Sequence, residues 1–198
     1  MAATFLLIRH AAHVHLDRTM SGRLPDVPLS EAGRDQARAL AARLADAGIA
    51  RVLCSPLDRT RETAEAIAAA CGVVAEPVDG LIEIDMGDWT GRAIEGLAGD
   101  PAWDAWNTQR GSARIPGGET MAQAQARIVA VLDARAREAD GLTVAVVSHA
   151  DMIRAAVAHV LGLPLDNLLR FDIGAASVTR MVWGDWGARL TGLNEQGA

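Results

Sequence analysis

Cysteine is scarce: Cys54 and Cys71 are the only two in 198 residues. Two thiols cannot build a disulfide framework or a cysteine-rich zinc site. Nowhere does the chain run apolar for the roughly eighteen residues that a membrane crossing needs. The N-terminus lacks a basic region followed by an apolar run and a cleavage site, so no secretory signal is read there and the cytoplasm is the expected compartment. Basic charge is also short. The formal net charge is −6, the wrong sign for a general nucleic-acid binder, although a local arginine cluster around a small anion remains compatible with it. A glycine-rich nucleotide loop ending in Lys-Ser or Lys-Thr is absent. So is the cysteine and arginine separated by five residues that a thiol-based phosphatase needs. Cys54 meets Thr60 at that spacing, and Arg59 falls one residue early.

What remains is an ordinary globular composition, 50% hydrophobic and 22% charged, which at this length reads as one domain over residues 1–198. Phe5-Leu6-Leu7-Ile8 is a continuous apolar run, short enough for a strand buried on both faces, and it ends abruptly in Arg9 and His10. A polar, turn-rich passage follows to Leu29. Ser30 is an expected N-cap for a helix carrying Ala37, Leu40, Ala41 and Leu44 on one face and closed by Gly48. Arg51 to Cys54 reads as a second strand, Ser55-Pro56 as the start of a helix running to about Cys71, and Val73 to Val78 as a third strand. Residues 79–118 are glycine-rich and irregular, and a helical lid is expected near 92–118, with Trp103 and Trp106 on one face of a short helix. Residues 119–137 read as a helix, Thr143 to Val147 as the clearest interior strand, and Met152 to Leu161 as a helix stopped by Gly162 and Pro164. An edge hairpin is expected around Gly184. Alternating strands and helices imply a three-layer α/β sandwich, a mainly parallel sheet with helices on both faces.

In open sheets of this kind the pocket lies outside the carboxyl ends of the strands. The first strand delivers Arg9 and His10 there, and Ser148-His149 repeats the pattern after the clearest interior strand. Arginine suits a phosphate or carboxylate because its planar fork binds such anions bidentately. Arg59 follows Ser55-Pro56 by one helical turn, close enough to point back, although taken alone it reads better as a solvated helix face. Glu83, Asp85 and Asp88 lie in one loop and compete as the useful carboxylate.

Taken together, Leu7-Ile8-Arg9-His10, Pro28-Leu29-Ser30-Glu31-Ala32-Gly33, Ser55-Pro56-Leu57-Asp58-Arg59-Thr60 with Glu62-Thr63-Ala64, Leu81-x-Glu83 through Gly87-x-Trp89-x-Gly91, Pro116-Gly117-Gly118-Glu119 and Val147-Ser148-His149 resemble the histidine phosphatase superfamily, in order, over residues 5 to about 160. The resemblance implies the phosphoglycerate mutase-like α/β fold and assigns roles by position. His10 is the expected nucleophile, Glu83 the proton donor and later acceptor, and Arg9, Arg59 and a protonated His149 the clamp on the phosphoryl group. No metal or cofactor is implied, since two guanidiniums and an imidazolium can stabilise the transferring charge. The partner implied is a small phosphorylated metabolite, with a homodimer left open and neither nucleic acid nor membrane expected. Within the superfamily the loop after Glu83 resembles the short phosphatases, such as the α-ribazole phosphatase branch, more than the mutases. Trp103, Trp106, Arg110 and Arg114 are then candidates to contact the organic part of the substrate.

The sequence departs from that pattern in two respects. Ala11 and Ala150 stand where glycine usually follows each histidine, so both backbones are expected at negative φ. The asparagine common about six residues beyond the nucleophile is missing, which leaves His13 or His15, together with Ser21-Gly22, as candidates to hold the remaining phosphate oxygen. The alternatives are a phosphoglycerate mutase-type phosphomutase, a metallohydrolase built on the His13-x-His15-x-Asp17 spacing, and a non-catalytic phosphate-binding protein on the same fold.

Overall fold

The computed structural model describes residues 2–197. Its sheet has six strands: β1 (Ala2–Arg9), β2 (Ile49–Cys54), β3 (Ala75–Pro77), β4 (Thr143–Ser148), β5 (Val178–Gly184) and β6 (Gly187–Glu195), in the spatial order β3-β2-β4-β1-β5-β6. The first four strands of that order run parallel, while β5 and β6 form an antiparallel hairpin added at β1. The expected three-layer arrangement is the one observed. Successive residues of β1 feed the two layers alternately, as strand geometry requires. Leu6 and Ile8 pack with α1 (Glu31–Leu44) and α2 (Asp58–Cys71) through Leu40, Leu44, Ala64 and Ile67. Phe5 and Leu7 pack on the other face with α4 (Met121–Glu138) and α5 (Ala150–Leu161) through Ile128, Leu132, Met152 and Ile153. An apolar run buried on both sides has no polar face to show, which is why β1 lacks alternation.

Several boundaries differ from expectation for visible reasons. Helix α2 begins at Asp58 rather than at Ser55-Pro56. The Ser55 hydroxyl lies 2.9 Å from His149 Nε2 instead of capping a helix, and Leu57 is the extended N-cap. Strand β3 keeps only three residues of the expected six. Helix α1 ends at Leu44, and Gly48, at φ +65°, turns the chain into β2 rather than capping the helix. Helix α4 starts two residues later than read, because Thr120 is the N-cap and forms a capping box with Gln123. Residues 79–118 hold three short 3₁₀ turns and α3 (Pro101–Thr108). Trp106 is buried beside Trp89, at 6.3 Å between ring centroids, and Trp103 meets the same ring edge-on at 5.2 Å. No described helix is long and apolar enough to cross a membrane.

Candidate active site

Strands β1 and β4 are neighbours in register, with Arg9 opposite Ser148, so His10 and His149 leave the sheet side by side. Their ring centroids are 5.2 Å apart. The His10 backbone N–H donates to the Ser148 carbonyl at 3.0 Å, locking the two exits together. Neither Ala11 nor Ala150 has a positive φ, as expected of residues with a Cβ.

His10 is buried, and its Nδ1 lies 2.8 Å from the Ala11 carbonyl oxygen. A carbonyl can only accept, so Nδ1 carries the ring proton and Nε2 keeps the lone pair. Burial, then the charges of Arg59 and Arg9, hold its pKa well below the usual imidazole range against the opposing pull of the Ala11 carbonyl. The ring is therefore neutral. His149 is fully buried with the reverse tautomer: Nδ1 faces the Arg59 guanidinium at 3.4 Å, and Nε2 donates to the Ser55 hydroxyl at 2.9 Å. Burial and the positive charge of Arg59 push its pKa well down too. His149 therefore stands neutral in the free protein, with Arg59 on the face of its Nδ1; the protonated imidazole expected from sequence belongs to phosphoryl transfer.

Arg59 is 2% exposed, so the solvated helix face it suggested in isolation is wrong. Its Nη2 donates to the Gly22 carbonyl at 2.7 Å, while Nε and Nη1 are buried without an acceptor among the described residues. Arg9 Nη1 donates to the Ile173 carbonyl at 2.8 Å, and its Nε is likewise buried and unpartnered. Leaving donors of this kind unmatched costs about 1–3 kcal/mol each, so their collection at one spot calls for a purpose. Glu83 faces them, its Oε2 3.7 Å from His149 Nδ1 and its Oε1 accepting the Ile84 N–H at 2.9 Å. Burial and then the Asp151 charge raise its pKa to about 7, with Arg59 and Arg9 pulling the other way. No comparable role emerges for the competing acids: Asp85 accepts from the Gly87 N–H at 3.0 Å and pairs with Arg23, and Asp88 packs against Gly117.

Arg9, His10, Arg59 and Glu83 line one cavity of ≈ 150 Å³, together with His13, Leu16, Asp17, Thr19, Met20, Ser21, Gly22, Met86, Ile94 and Ala150, whereas His149, fully buried, stands behind this wall against Arg59 and Ser55. A cavity of that size has room for a small anion such as a phosphoryl group. A wider cleft of ≈ 470 Å³ lies between α4, α5 and the β5–β6 hairpin, lined by Asp133, His159 and Trp183. It sits at the opposite end of the sheet, where Gly184 pairs with Ala2, so size alone does not locate the site. Of the expected phosphate contacts, Ser21 and Gly22 are present, but the Gly22 carbonyl serves to orient Arg59. His15 does not line the cavity and turns toward Ser21. From segment 92–118 only Ile94 lines it. Trp106 and Arg110 are buried elsewhere, and neither Trp103 nor Arg114 reaches the cavity wall, so none of the four expected substrate contacts lines this cavity. Among the described residues no three His, Cys, Asp or Glu side chains converge as a metal cage, and His13 Nδ1 is taken by the His15 N–H.

The supporting residues were harder to read. Arg127 donates to the carbonyls of Gly80 and Ile82 at 2.9 and 2.7 Å, and Arg23 donates to that of Glu83 at 2.9 Å; both guanidiniums are held by Glu119. The Ser148 hydroxyl donates to the Leu81 carbonyl at 2.8 Å. Asp151 is buried between Arg110 at 2.8 Å and Arg154 at 3.1 Å; burial pushes its pKa up, but the two arginines outweigh it and the net shift is downward. An arginine on a helix or a loop acid gives no sequence signal of such contacts.

The sequence profile of the histidine phosphatase superfamily (branch 1) matches residues 5–196. A probable phosphoglycerate mutase GpmB from Yersinia enterocolitica is 33% identical over 180 residues, covering 88% of this chain and 82% of that protein. The solved structure of a mycobacterial glucosyl-3-phosphoglycerate phosphatase superposes with a TM-score of 0.85 at 30% identity, over 99% of this chain and 100% of that one. Bacillus stearothermophilus YhfR superposes at 0.93 with 26% identity, over 98% of each chain. With nearly its whole length matched and two histidines, two arginines and an acid meeting at the ends of β1 and β4, the chain belongs to the histidine phosphatase superfamily, branch 1.

Proposed function

We propose that this protein is a metal-independent phosphomonoester hydrolase that works through a phosphohistidine on His10. The observation that carries the reading is the tautomer of His10, whose Nδ1–H is committed to the Ala11 carbonyl so that the Nε2 lone pair is free beside two arginines. In the first step Nε2 attacks phosphorus, the bond from phosphorus to the ester oxygen breaks, and Glu83 gives its proton to the departing alkoxide. The buried donors of Arg9 and Arg59 take up the negative charge spread over the equatorial oxygens. A dianion here offsets the positive charge of Arg59 that lowers the pKa of His149, which backs the clamp from behind through its contact with that guanidinium. In the second step water attacks phosphorus, Glu83 takes its proton, and the bond from phosphorus to Nε2 breaks.

Hydrolysis is favoured over phosphomutase activity by the loop after Glu83, which resembles that of the short phosphatases; the similar proteins carry both names, a phosphatase at 30% identity and a probable mutase at 33%. Segment 92–118, contributing Ile94 to the cavity wall, acts as its cover within one domain spanning residues 1–198. Rapid quenching without acid during turnover, followed by mass spectrometry, tests the reading. Phosphate on His10 and loss of nearly all activity in His10→Ala are expected; phosphate trapped on another residue, or an active variant, refutes it.

A further inference from the structure

We propose that His13 is a third imidazole of the phosphoryl site, giving its Nε2–H to an oxygen of the bound phosphoryl group. This rests on the phosphatase reading above. His13 is 9% exposed, lines the same cavity as Arg9, His10, Arg59 and Glu83, and its ring centroid is 5.1 Å from that of His10. Its backbone is held in place by a bridge to Leu29 and by the Val14 N–H donating to the Pro28 carbonyl at 3.2 Å.

The tautomer follows from one contact. Nδ1 accepts the backbone N–H of His15 at 3.2 Å, and an imidazole nitrogen that accepts carries no proton. The ring proton is therefore on Nε2, which makes no hydrogen bond among the described residues. Burial, then the charges of Arg59 and Arg9, lower its pKa to about 4. The ring thus stands neutral beside two guanidiniums, adding a donor without adding to their repulsion, where a third fixed cation would carry a desolvation cost. His15 shows the contrast, turned toward Ser21 and away from the cavity wall.

The full chain, with orthovanadate and then inorganic phosphate as probes, provides the test. Losing one hydrogen bond to a charged group corresponds to about a ten- to hundred-fold weaker inhibition by vanadate in His13→Ala. His13→Gln, whose amide nitrogen reaches the place of Nε2, is expected to restore most of it, which a purely structural role would not do. NMR of wild-type protein labelled with ¹⁵N-histidine reads the tautomer without any substitution. A proton on Nε2 is expected, and a proton on Nδ1 overturns the proposal. Vanadate binding by the wild type with equal binding by His13→Ala overturns the role of His13 alone. A wild type that binds neither probe overturns the phosphatase reading, and this one with it.

Discussion

Glu83 carries opposing influences on a single carboxylate: burial and Asp151 favour its proton, while Arg59 and Arg9 favour its charge. An acid whose folded pKa lies above its unfolded one stabilises the fold below the unfolded value and loses that contribution as pH rises through the folded value. For Glu83 the window runs from the ordinary 4.5 up to about 7, a loss on the order of 3 kcal/mol. Glu83→Gln cannot ionise, so the variant should be more stable than wild type at pH 8 by up to that order, with the difference shrinking toward pH 4.5. Paired thermal melts across that range measure it, and a constant difference would mean that Glu83 titrates normally. In single-turnover phosphorylation the same variant should lose roughly 10²–10⁴-fold on alkyl phosphates and far less on p-nitrophenyl phosphate, whose leaving group departs without a proton. Asp85→Asn and Asp88→Asn are the controls and should show no such dependence.

The loop after the nucleophile owes its position to α1. Ser30 caps that helix by accepting the Gly33 N–H at 3.0 Å, and its own hydroxyl and N–H both donate to the Ala12 carbonyl. A Cβ on Gly33 would lie 1.8 Å from that carbonyl oxygen, closer than any atoms can approach. The Ala11 carbonyl that sets the His10 tautomer is one residue away. Gly33→Ala should therefore cost about 1–3 kcal/mol of stability, as overpacking does, and lower kcat as well by shifting the loop. Gly96→Ala, with nothing within 4 Å of the added carbon, should change neither. Melting curves and steady-state kinetics on both variants decide whether α1 positions the nucleophile or only covers the sheet.

Segment 92–118 is joined to the catalytic end of the fold through Arg110. That side chain is buried, stacks over Trp106 at 4.9 Å and pairs with Asp151 on α5 at 2.8 Å. Asp151 in turn raises the pKa of Glu83, so the segment and the proton donor are electrostatically connected. Arg110→Met keeps the bulk and removes the charge. Arg154 still holds Asp151, so the loss of stability should be about 2 kcal/mol, short of the ~3–5 kcal/mol of a buried pair broken outright. With less positive charge on Asp151, the pKa of Glu83 rises and the alkaline limb of the pH–rate profile on alkyl phosphates should move upward. An unmoved limb would separate the segment from the proton chemistry.

Chain order alone determined a great deal here. The unbroken apolar runs before Arg9 and Ser148 read as strands buried on both faces, and parallel strands of that kind bring His10 and His149 to the same edge. The spacing of Ala37, Leu40 and Leu44, and the turn signals at Ser30 and Gly162, made the helices legible, because these features act over a few residues. Folding decided everything that depends on groups distant in sequence meeting in a medium of low dielectric constant. Arg59 looked like a surface residue until the Gly22 carbonyl and His149 were brought to it. His149 is neutral in the free protein, since its partner there is a guanidinium. Trp106 and Arg110 looked like substrate contacts and are core and ion pair. Which nitrogen of each imidazole holds the proton, and which of three loop acids sits near pH 7, follow from neighbours tens of residues away, which sequence spacing does not encode.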